Sequence, residues 1–234
     1  RGYPGAGKYP EDQPAWVTVA TTRPETYLGD TAVAVNPKDP RAVSLRGLMI
    51  ELPIVGRVIP IIEDDYVVMP DPEGSDPKAK YATGFLKVTP GHDENDYALY
   101  QRHKQVMDAA AGGDGRALIN IMAPDASISD KHGWSETEET KAAHLFVGLS
   151  REKARDLVIR EFQSREIGSE TLLEAIKPYT HTVPYSDRSK VPIEPWLSDQ
   201  WYVKVTDDRL RGEAQRALSS SQRSTSTFPA RLGE

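Results

Sequence analysis

The amino-acid sequence predicts a β-rich α+β fold. Two observations support this class: short β-type runs separated by turn residues fill most of the first ninety positions, and apolar residues at helical spacing come mainly later in the chain. A third observation is that the 234 residues are 38% hydrophobic and 27% charged, which is the composition of a globular protein with a sizeable core. A wholly disordered chain is therefore not expected.

Six strands are predicted from runs of β-branched and apolar residues. They are 16–21, 31–35, 54–62, 66–68, 85–89 and 118–122. Side chains alternate along a strand, so Lys87 and Thr89 are expected to point to the same side of the strand at 85–89.

Three helices are predicted, at 95–104, 151–165 and 208–219. Pro90 and Gly91 interrupt the preceding strand, and Asp93 can cap the first helix. Ser150 can cap the second helix, where apolar residues recur at helical spacing. The ends of the chain, 1–15 and the polar stretch after the last helix, have the composition of connecting segments.

Charge and cysteine content exclude several classes of protein. The net charge of −6 argues against strong autonomous binding of nucleic acid, so such a partner would need a local basic face. The absence of cysteine excludes disulfides and thiolate zinc sites. No run resembles a membrane span or a signal peptide, so we expect a cytoplasmic protein without a membrane partner.

Polar residues are concentrated at the end of the first predicted strand. Thr21, Thr22, Arg23, Glu25 and Thr26 offer hydroxyls, a guanidinium group and a carboxylate within six positions. A ligand with alcohol, ribose or carboxyl groups would suit this set. The alternative is a strand end turned by proline with its charges in solvent, and composition alone favours that alternative.

A second polar cluster follows the strand at 85–89. It contains Lys87, Thr89, His92, Asp93 and Asp96, so a carboxylate in the first turn of a helix could hold an ammonium group. The alternative is a helix cap with a carboxylate favoured by the helix dipole, worth roughly 1 kcal/mol each. The sequence shows no metal-ligand spacing, serine-hydrolase elbow or phosphate-binding glycine loop.

Taken together, these segments resemble the editing domain that is inserted into the catalytic domain of valyl-tRNA synthetases, which are class I aminoacyl-tRNA synthetases. The resemblance lies in VATTRPETYLGDTAVAVNP at 19–37, LPIVGR at 52–57, TGFLKVTPGHDENDY at 83–97, GLSREKARDLVIREF at 148–162 and VPYSDRSKVPIEPWLSDQWYV at 183–203. Leucyl relatives carry a similar TTRPDT with a different continuation, and GDTAVAV favours the valyl branch. The resemblance covers most of 16–205.

The chain departs from this family in three places. The loop at 69–81 is longer and more polar than usual, and Gly91 stands where alanine is usual. No cysteine occurs at 184–190, where some relatives have it, so no zinc is expected. The HIGH and KMSKS signatures are also missing, so we expect no amino-acid activation from this chain, and ATP belongs to the absent catalytic domain.

The resemblance implies a β-barrel core with peripheral helices. It also implies a connecting segment at 1–15, an editing domain at 16–205, and a terminal helix with a connecting segment to the catalytic domain at 206–234. The implied activity is hydrolysis of the ester in threonyl-tRNA(Val), with no cofactor. The implied partners are the 3′ end of that tRNA, its threonine moiety and the remainder of the synthetase.

The resemblance assigns the α-ammonium of threonine to Asp96. Lys87 and Asp93 match other polar positions of the same pocket, Arg23 matches the opposing wall, and Thr26 matches a position that discriminates side chains in leucyl relatives. The candidate catalytic residues are Asp96, Lys87, Asp93 and Arg23, and the candidate substrate-binding residues are Thr21, Thr22, Thr26, Thr89 and His92.

Three alternative functions stay open at this point. A leucyl or isoleucyl editing domain would hydrolyse a different mischarged tRNA. A non-catalytic insert would bind only the tRNA end, and a structural spacer would do neither.

Overall fold

A computed structural model describes residues 16–131, 141–167, 170–198 and 200–218. These residues belong to two compact units, one ending at Leu197 and the other beginning at Ser198. The predicted connecting segments at 1–15 and after residue 218 lie outside the described residues, and the predicted domain boundary at residue 205 stays a prediction.

The first unit alternates short strands with helices. In chain order it contains a 3₁₀ helix Pro24–Gly29, β1 Ala32–Val35, α1 Ala42–Leu45, β2 Met49–Glu51, β3 Val58–Glu63, α2 Pro77–Tyr81, β4 Phe85–Val88, α3 Glu94–Ala110, a second 3₁₀ helix Lys141–Phe146, α4 Arg151–Ser164, β5 Glu166–Ile167 and β6 Glu170–Thr171. The second unit contains α5 Asp208–Leu218. Within the described ranges, no helix is both long and apolar enough to cross a membrane.

The main sheet has four strands in the order β2-β3-β1-β4. β1 is parallel to β3, with Val33 beside Ile61, and antiparallel to β4, with Val33 beside Lys87. β2 and β3 are antiparallel neighbours. The α+β class is therefore confirmed, and these four strands form an open mixed sheet, while β5 and β6 pair separately as a two-stranded sheet. Closure into a barrel stays a prediction.

Both faces of this sheet are covered, so all four residues of β1 are buried. One face contributes Val33 and Val35 to a large core that also includes residues of the first 3₁₀ helix and of α4. The other face contributes Ala32 and Ala34 to a core shared with α3. Because β4 alternates in the same way, the side chain of Lys87 projects from the first of these faces, beside Val33.

The three predicted helices are present. Asp93 caps α3 through hydrogen bonds from the backbone N–H groups of Asn95 and Asp96, at 2.8 and 3.2 Å. Ser150 caps α4 by accepting from the backbone N–H of Lys153. The first helix is longer than predicted, ending at Ala110, because Leu99 and Met107 both pack into the second core.

Several strand predictions are wrong. Residues 16–21 and 66–68 are irregular, and 118–122 contributes only an isolated bridge between Met122 and Ile128. The first half of the predicted strand at 54–62 is a turn, in which Ile54 has a φ of 71°. In two of these runs, 54–57 and 118–122, apolar residues are buried without forming a strand ladder, as with Ile119 and Ile121 in the main core. Burial therefore explains the apolar pattern of those two runs.

Candidate functional site

Asp96 lies in the first turn of α3 and is only 7% exposed. Its Oδ2 accepts a hydrogen bond of 2.8 Å from the backbone N–H of Thr89. Burial raises the pKa of Asp96 to about 6, although the charge of Lys87 and the bond from Thr89 oppose this rise. Among the described residues, no basic side chain forms an ion pair with this carboxylate. Within the described residues its ionised form is therefore influenced by the charge of Lys87 but has no cation in direct contact.

Lys87 and Thr89 point the same way, as the strand alternation predicts, and both bind Asp30. The Lys87 Nζ donates to the Asp30 Oδ1 at 2.9 Å and also donates to the Thr89 hydroxyl. That hydroxyl in turn donates to the Asp30 Oδ1. Asp30 lies two positions before the first residue of β1, and Thr89 directly follows β4. Because these strands are antiparallel, the start of one lies beside the end of the other.

Asp30 and Arg57 form the buried base of this polar cluster. Arg57 Nη1 donates to the carbonyl oxygens of Leu28 and Asp30, at 3.1 and 2.8 Å. Burial lowers the pKa of Arg57 to about 10 and raises the pKa of Asp30, which the charges of Lys87 and Arg57 then lower in part. In the part of the chain that the structure describes, Asp30 Oδ2 and Arg57 Nη2 are buried without a hydrogen-bond partner. Each such unpaired group costs about 1–3 kcal/mol, which reduces what the cluster contributes to the stability of the fold.

Arg23 joins three separate segments of the chain. Its Nη1 donates to the carbonyl oxygen of His92 at 2.8 Å, its Nε lies 3.4 Å from Glu25, and its Nη2 pairs with Glu194. Glu194 also pairs with Arg151 on α4. Every guanidinium nitrogen of Arg23 therefore has a protein acceptor, which makes the side chain part of the scaffold around the cluster.

Glu25 is the buried partner in the same scaffold, at 1% exposure. Arg155 of α4 binds its two carboxylate oxygens at 2.9 and 3.0 Å. This bidentate geometry is the one in which arginine binds carboxylates most strongly. Tyr27 packs edge-to-face on Phe162 beside it, with ring centroids 5.0 Å apart. Together these contacts hold the first 3₁₀ helix against α4.

His92 is completely buried, and its side chain forms a hydrogen bond with the backbone. Its Nε2 accepts a hydrogen bond of 2.9 Å from the backbone N–H of Ile121, so the ring proton resides on Nδ1. Burial lowers the pKa of His92 to about 4, and the nearby charge of Arg23 adds to this effect. Nδ1 faces the backbone of Pro195 without a hydrogen bond of normal geometry. The imidazole is therefore neutral and closed to solvent.

The three threonines of the first polar segment differ in their surroundings. Thr26 is buried and donates its hydroxyl to the carbonyl oxygen of Arg23 at 2.9 Å. Thr21 is exposed and accepts from the backbone N–H of Arg23, while Thr22 is exposed as well. None of the hydrogen bonds of the described residues connects these threonines to Lys87.

The structure thus brings Lys87, Thr89 and Asp96 together and connects Arg23 to His92 through the His92 backbone. Sequence reasoning missed Asp30, although an acidic residue two positions before an entirely apolar strand was a usable signal. It also missed Glu194 as a partner of Arg23, since 171 positions along the sequence separate the two residues. The resulting cluster combines hydroxyl and ammonium donors with a buried carboxylate that forms no ion pair in the part of the chain the structure describes. Such an arrangement suits a small cationic ligand that also carries a hydroxyl group.

Comparison with known proteins gives a consistent set of relatives. No protein-family model matches the chain. It is 39% identical to the valine–tRNA ligase of Synechocystis sp. over 230 residues, covering 97% of this chain and 21% of that protein. It is 44% identical to the valine–tRNA ligase of Parasynechococcus marenigrum and 42% identical to that of Thermosynechococcus vestitus, covering 86% and 85% of this chain and 18% of each relative. The chain therefore spans about a fifth of the length of the curated relatives it matches.

Proposed function

Because this chain belongs to the valine–tRNA ligase family and matches one segment of each relative, we propose that it is the editing domain of such an enzyme. Its proposed reaction is hydrolysis of the ester that joins a wrongly attached threonine to tRNA(Val). The identity of the relatives favours this assignment over a leucyl or isoleucyl editing domain. The β-barrel core expected from the resemblance is part of the same proposal.

The observation that carries the proposal is the state of Asp96. A carboxylate that is 7% exposed, has a raised pKa and has no ion-pair partner among the described residues is stabilised when a cation binds beside it. The α-ammonium group of an aminoacyl ester is such a cation. The backbone N–H of Thr89 holds the carboxylate in place through Oδ2. Asp96 is thus suited to anchor the amino-acid part of the substrate.

The chemistry of discrimination explains why the proposed pocket is polar. Valine and threonine have nearly the same shape, and an apolar pocket separates them only ~10²-fold, a figure that the general principle gives for this very class of enzyme. A site with hydrogen-bond partners for the threonine hydroxyl reverses the preference, since valine leaves those partners unsatisfied at about 1–3 kcal/mol. Lys87 can provide such a partner near Asp96, because an ammonium group has three N–H donors and its bonds to Asp30 and Thr89 use two of them.

The proposed step is direct attack of water on the ester carbonyl. Water that is correctly placed needs no covalent enzyme intermediate, provided that the developing oxyanion is stabilised. His92 is poorly suited as a general base, because it is buried and its Nε2 already accepts from a backbone N–H. We therefore assign the orientation of the water to backbone groups and to a ribose hydroxyl of the substrate. No cofactor enters this step.

Arg23 contributes to the proposed site by positioning. It contacts the carbonyl oxygen of His92 and two acidic side chains, so it fixes the loop between β4 and α3 relative to α4. Asp93 holds the start of α3, and with it the backbone of Asp96. With a net charge of −6, the chain relies on the rest of the synthetase for most of its affinity for tRNA. The proposed location is the cytoplasm.

Deacylation of threonyl-tRNA(Val) and valyl-tRNA(Val) by this chain at high concentration tests the proposal. We expect loss of threonine only, and a drop of at least 100-fold in the Asp96→Asn variant. Asparagine keeps an acceptor for the backbone N–H of Thr89 and removes only the charge. The matched control is Glu94→Gln, a carboxylate on the same helix turn that is exposed to solvent.

The outcomes separate the alternative functions. Equal rates for both esters would refute threonine editing. Binding of tRNA without hydrolysis by the wild-type chain, unchanged in Asp96→Asn, would indicate a non-catalytic insert that holds the tRNA end. Neither binding nor hydrolysis by a folded chain would indicate a structural spacer or a need for the remaining synthetase, and the same assay on the complete enzyme separates these two.

A further inference from the structure

We propose that Asp30 is a positioning residue of this site: by binding Lys87 it keeps the lysine ammonium away from Asp96 and leaves that carboxylate available for the substrate ammonium. This inference rests on the proposed function. It assigns a role to a residue that does not itself touch the substrate.

The contacts of Thr89 show why Lys87 has two possible partners. The side-chain hydroxyl of Thr89 accepts from Lys87, and its backbone N–H donates to Asp96. Thr89 therefore contacts both Lys87 and Asp96 and lies between them in space, and the charge of Lys87 already lowers the pKa of Asp96. A buried ammonium needs an anionic partner. Without Asp30, Asp96 is the carboxylate to which Lys87 would turn.

The hydrogen bonds of Asp30 point to a role in the site. Its side chain is 1% exposed, and its Oδ1 accepts from Lys87 and from Thr89. In the described part of the chain its Oδ2 has no partner, so the carboxylate caps no turn or helix. A carboxylate retained for structure alone would satisfy both oxygens. The bonds of Asp30 instead fix the two polar side chains beside Asp96.

The charged and titratable groups around Asp96 allow two effects of Asp30→Asn on the pKa of Asp96 to be distinguished. One is the movement of Lys87, and the other is the loss of the negative charge of Asp30. The groups are Lys87 on β4, Asp93 at the start of α3, Asp30 before β1, and Tyr66, whose pKa Asp96 helps to raise. The negative charge of Asp93 raises the pKa of Asp96 more than that of Asp30 does. Loss of charge alone would therefore have a larger effect at Asp93 than at Asp30.

The experiment compares Asp30→Asn with Asp93→Asn, in which asparagine retains the helix cap. The titration of the Asp96 carboxyl carbon is followed by ¹³C NMR in the 234-residue chain. We expect the Asp96 midpoint to fall by more than one pH unit further in Asp30→Asn than in Asp93→Asn, because Lys87 moves to Asp96. In the double variant Asp30→Asn/Lys87→Met the midpoint should return to the wild-type value or above it. A midpoint in Asp30→Asn that falls no further than in Asp93→Asn would overturn the inference.

Lys87→Met alone provides a second test if Asp30→Asn does not fold. With Lys87 held by Asp30, its removal should raise the Asp96 midpoint by less than one pH unit, and a larger rise contradicts the inference.

Deacylation kinetics supply the functional measurement. For threonyl-tRNA(Val), Asp30→Asn should lower kcat/KM at least tenfold at pH 8, and an unchanged kcat/KM would refute the role in positioning. If the wild-type chain does not deacylate this substrate, the proposed function fails. The order of the NMR midpoints then still decides whether Asp30 holds Lys87 away from Asp96.

Discussion

Replacement of Asp96 by asparagine should stabilise the fold while it removes the proposed activity. The native carboxyl titrates near pH 6 because it is buried, whereas an unperturbed aspartate titrates at 3.8. The difference is roughly two pH units at about 1.36 kcal/mol each, so ionisation of Asp96 costs the native state on the order of 3 kcal/mol. Asparagine carries no such cost, and its carbonyl oxygen can still accept from the backbone N–H of Thr89.

Because the pKa of Asp96 is higher in the native state than in the unfolded state, the stability difference between the two proteins depends on pH. Between the unfolded pKa near 3.8 and the native pKa near 6, the native state binds more protons than the unfolded state. Wild-type stability relative to the Asp96→Asn variant should therefore fall as the pH rises from 4 to 6, and stay level above that range. The two proteins should be nearly equal near pH 4 and differ by roughly 3 kcal/mol at pH 8.

Urea unfolding of both proteins at pH 4, 5, 6, 7 and 8 measures this difference directly. The exposed Glu94→Gln variant is the control and should change the free energy of unfolding by less than about 0.5 kcal/mol throughout. Parallel stability curves for wild type and Asp96→Asn, or a less stable variant at pH 8, would refute the reasoning. A variant that is more stable and inactive is the signature of a residue retained for function.

Three further substitutions test the scaffold around the site. His92→Ala should destabilise the protein by about 2–4 kcal/mol in urea unfolding, because it leaves the buried backbone N–H of Ile121 unsatisfied and opens a cavity. The same variant should lower the single-turnover rate of deacylation less than tenfold. Abolished activity in a folded variant would show that His92 is essential. Arg155→Ala removes the bidentate partner of the buried Glu25 and should cost about 1–3 kcal/mol in thermal or urea unfolding, against less than about 0.5 for the exposed Arg160→Ala on the same helix. Gly91→Ala would drive a Cβ into the backbone carbonyl oxygen of Ile119, so it should cost about 1–3 kcal/mol, and an unchanged melting temperature would contradict this packing.

Elements with strong local signals were predicted well. The caps Asp93 and Ser150 begin α3 and α4 where the sequence placed them, because a capping side chain bonds only to nearby backbone. Apolar runs were less informative. Residues 118–122 have the composition of a strand, but they reach the core as irregular chain, since burial and strand pairing give the same pattern in a short run.

In the site too, local features were predicted from the sequence and long-range contacts were not. The alternation of β4 correctly predicted that Lys87 and Thr89 point the same way, and the resemblance to valyl enzymes identified the family that the relatives then established. The antiparallel pairing of β1 with β4, which brings Asp30 to Lys87, is a long-range contact that periodicity does not encode.

By itself the sequence determined the family, the helix starts and the direction of side chains within one strand, because these depend on residue identities and on contacts over a few positions. The tertiary structure decided which charges are buried and which are paired. It paired Asp30 with Lys87, gave Asp96 no ion-pair partner in the described ranges, and directed His92 and Arg23 towards backbone groups. The energy of a charged group depends on its desolvation and on neighbours that are distant along the chain, and only folding brings those neighbours together.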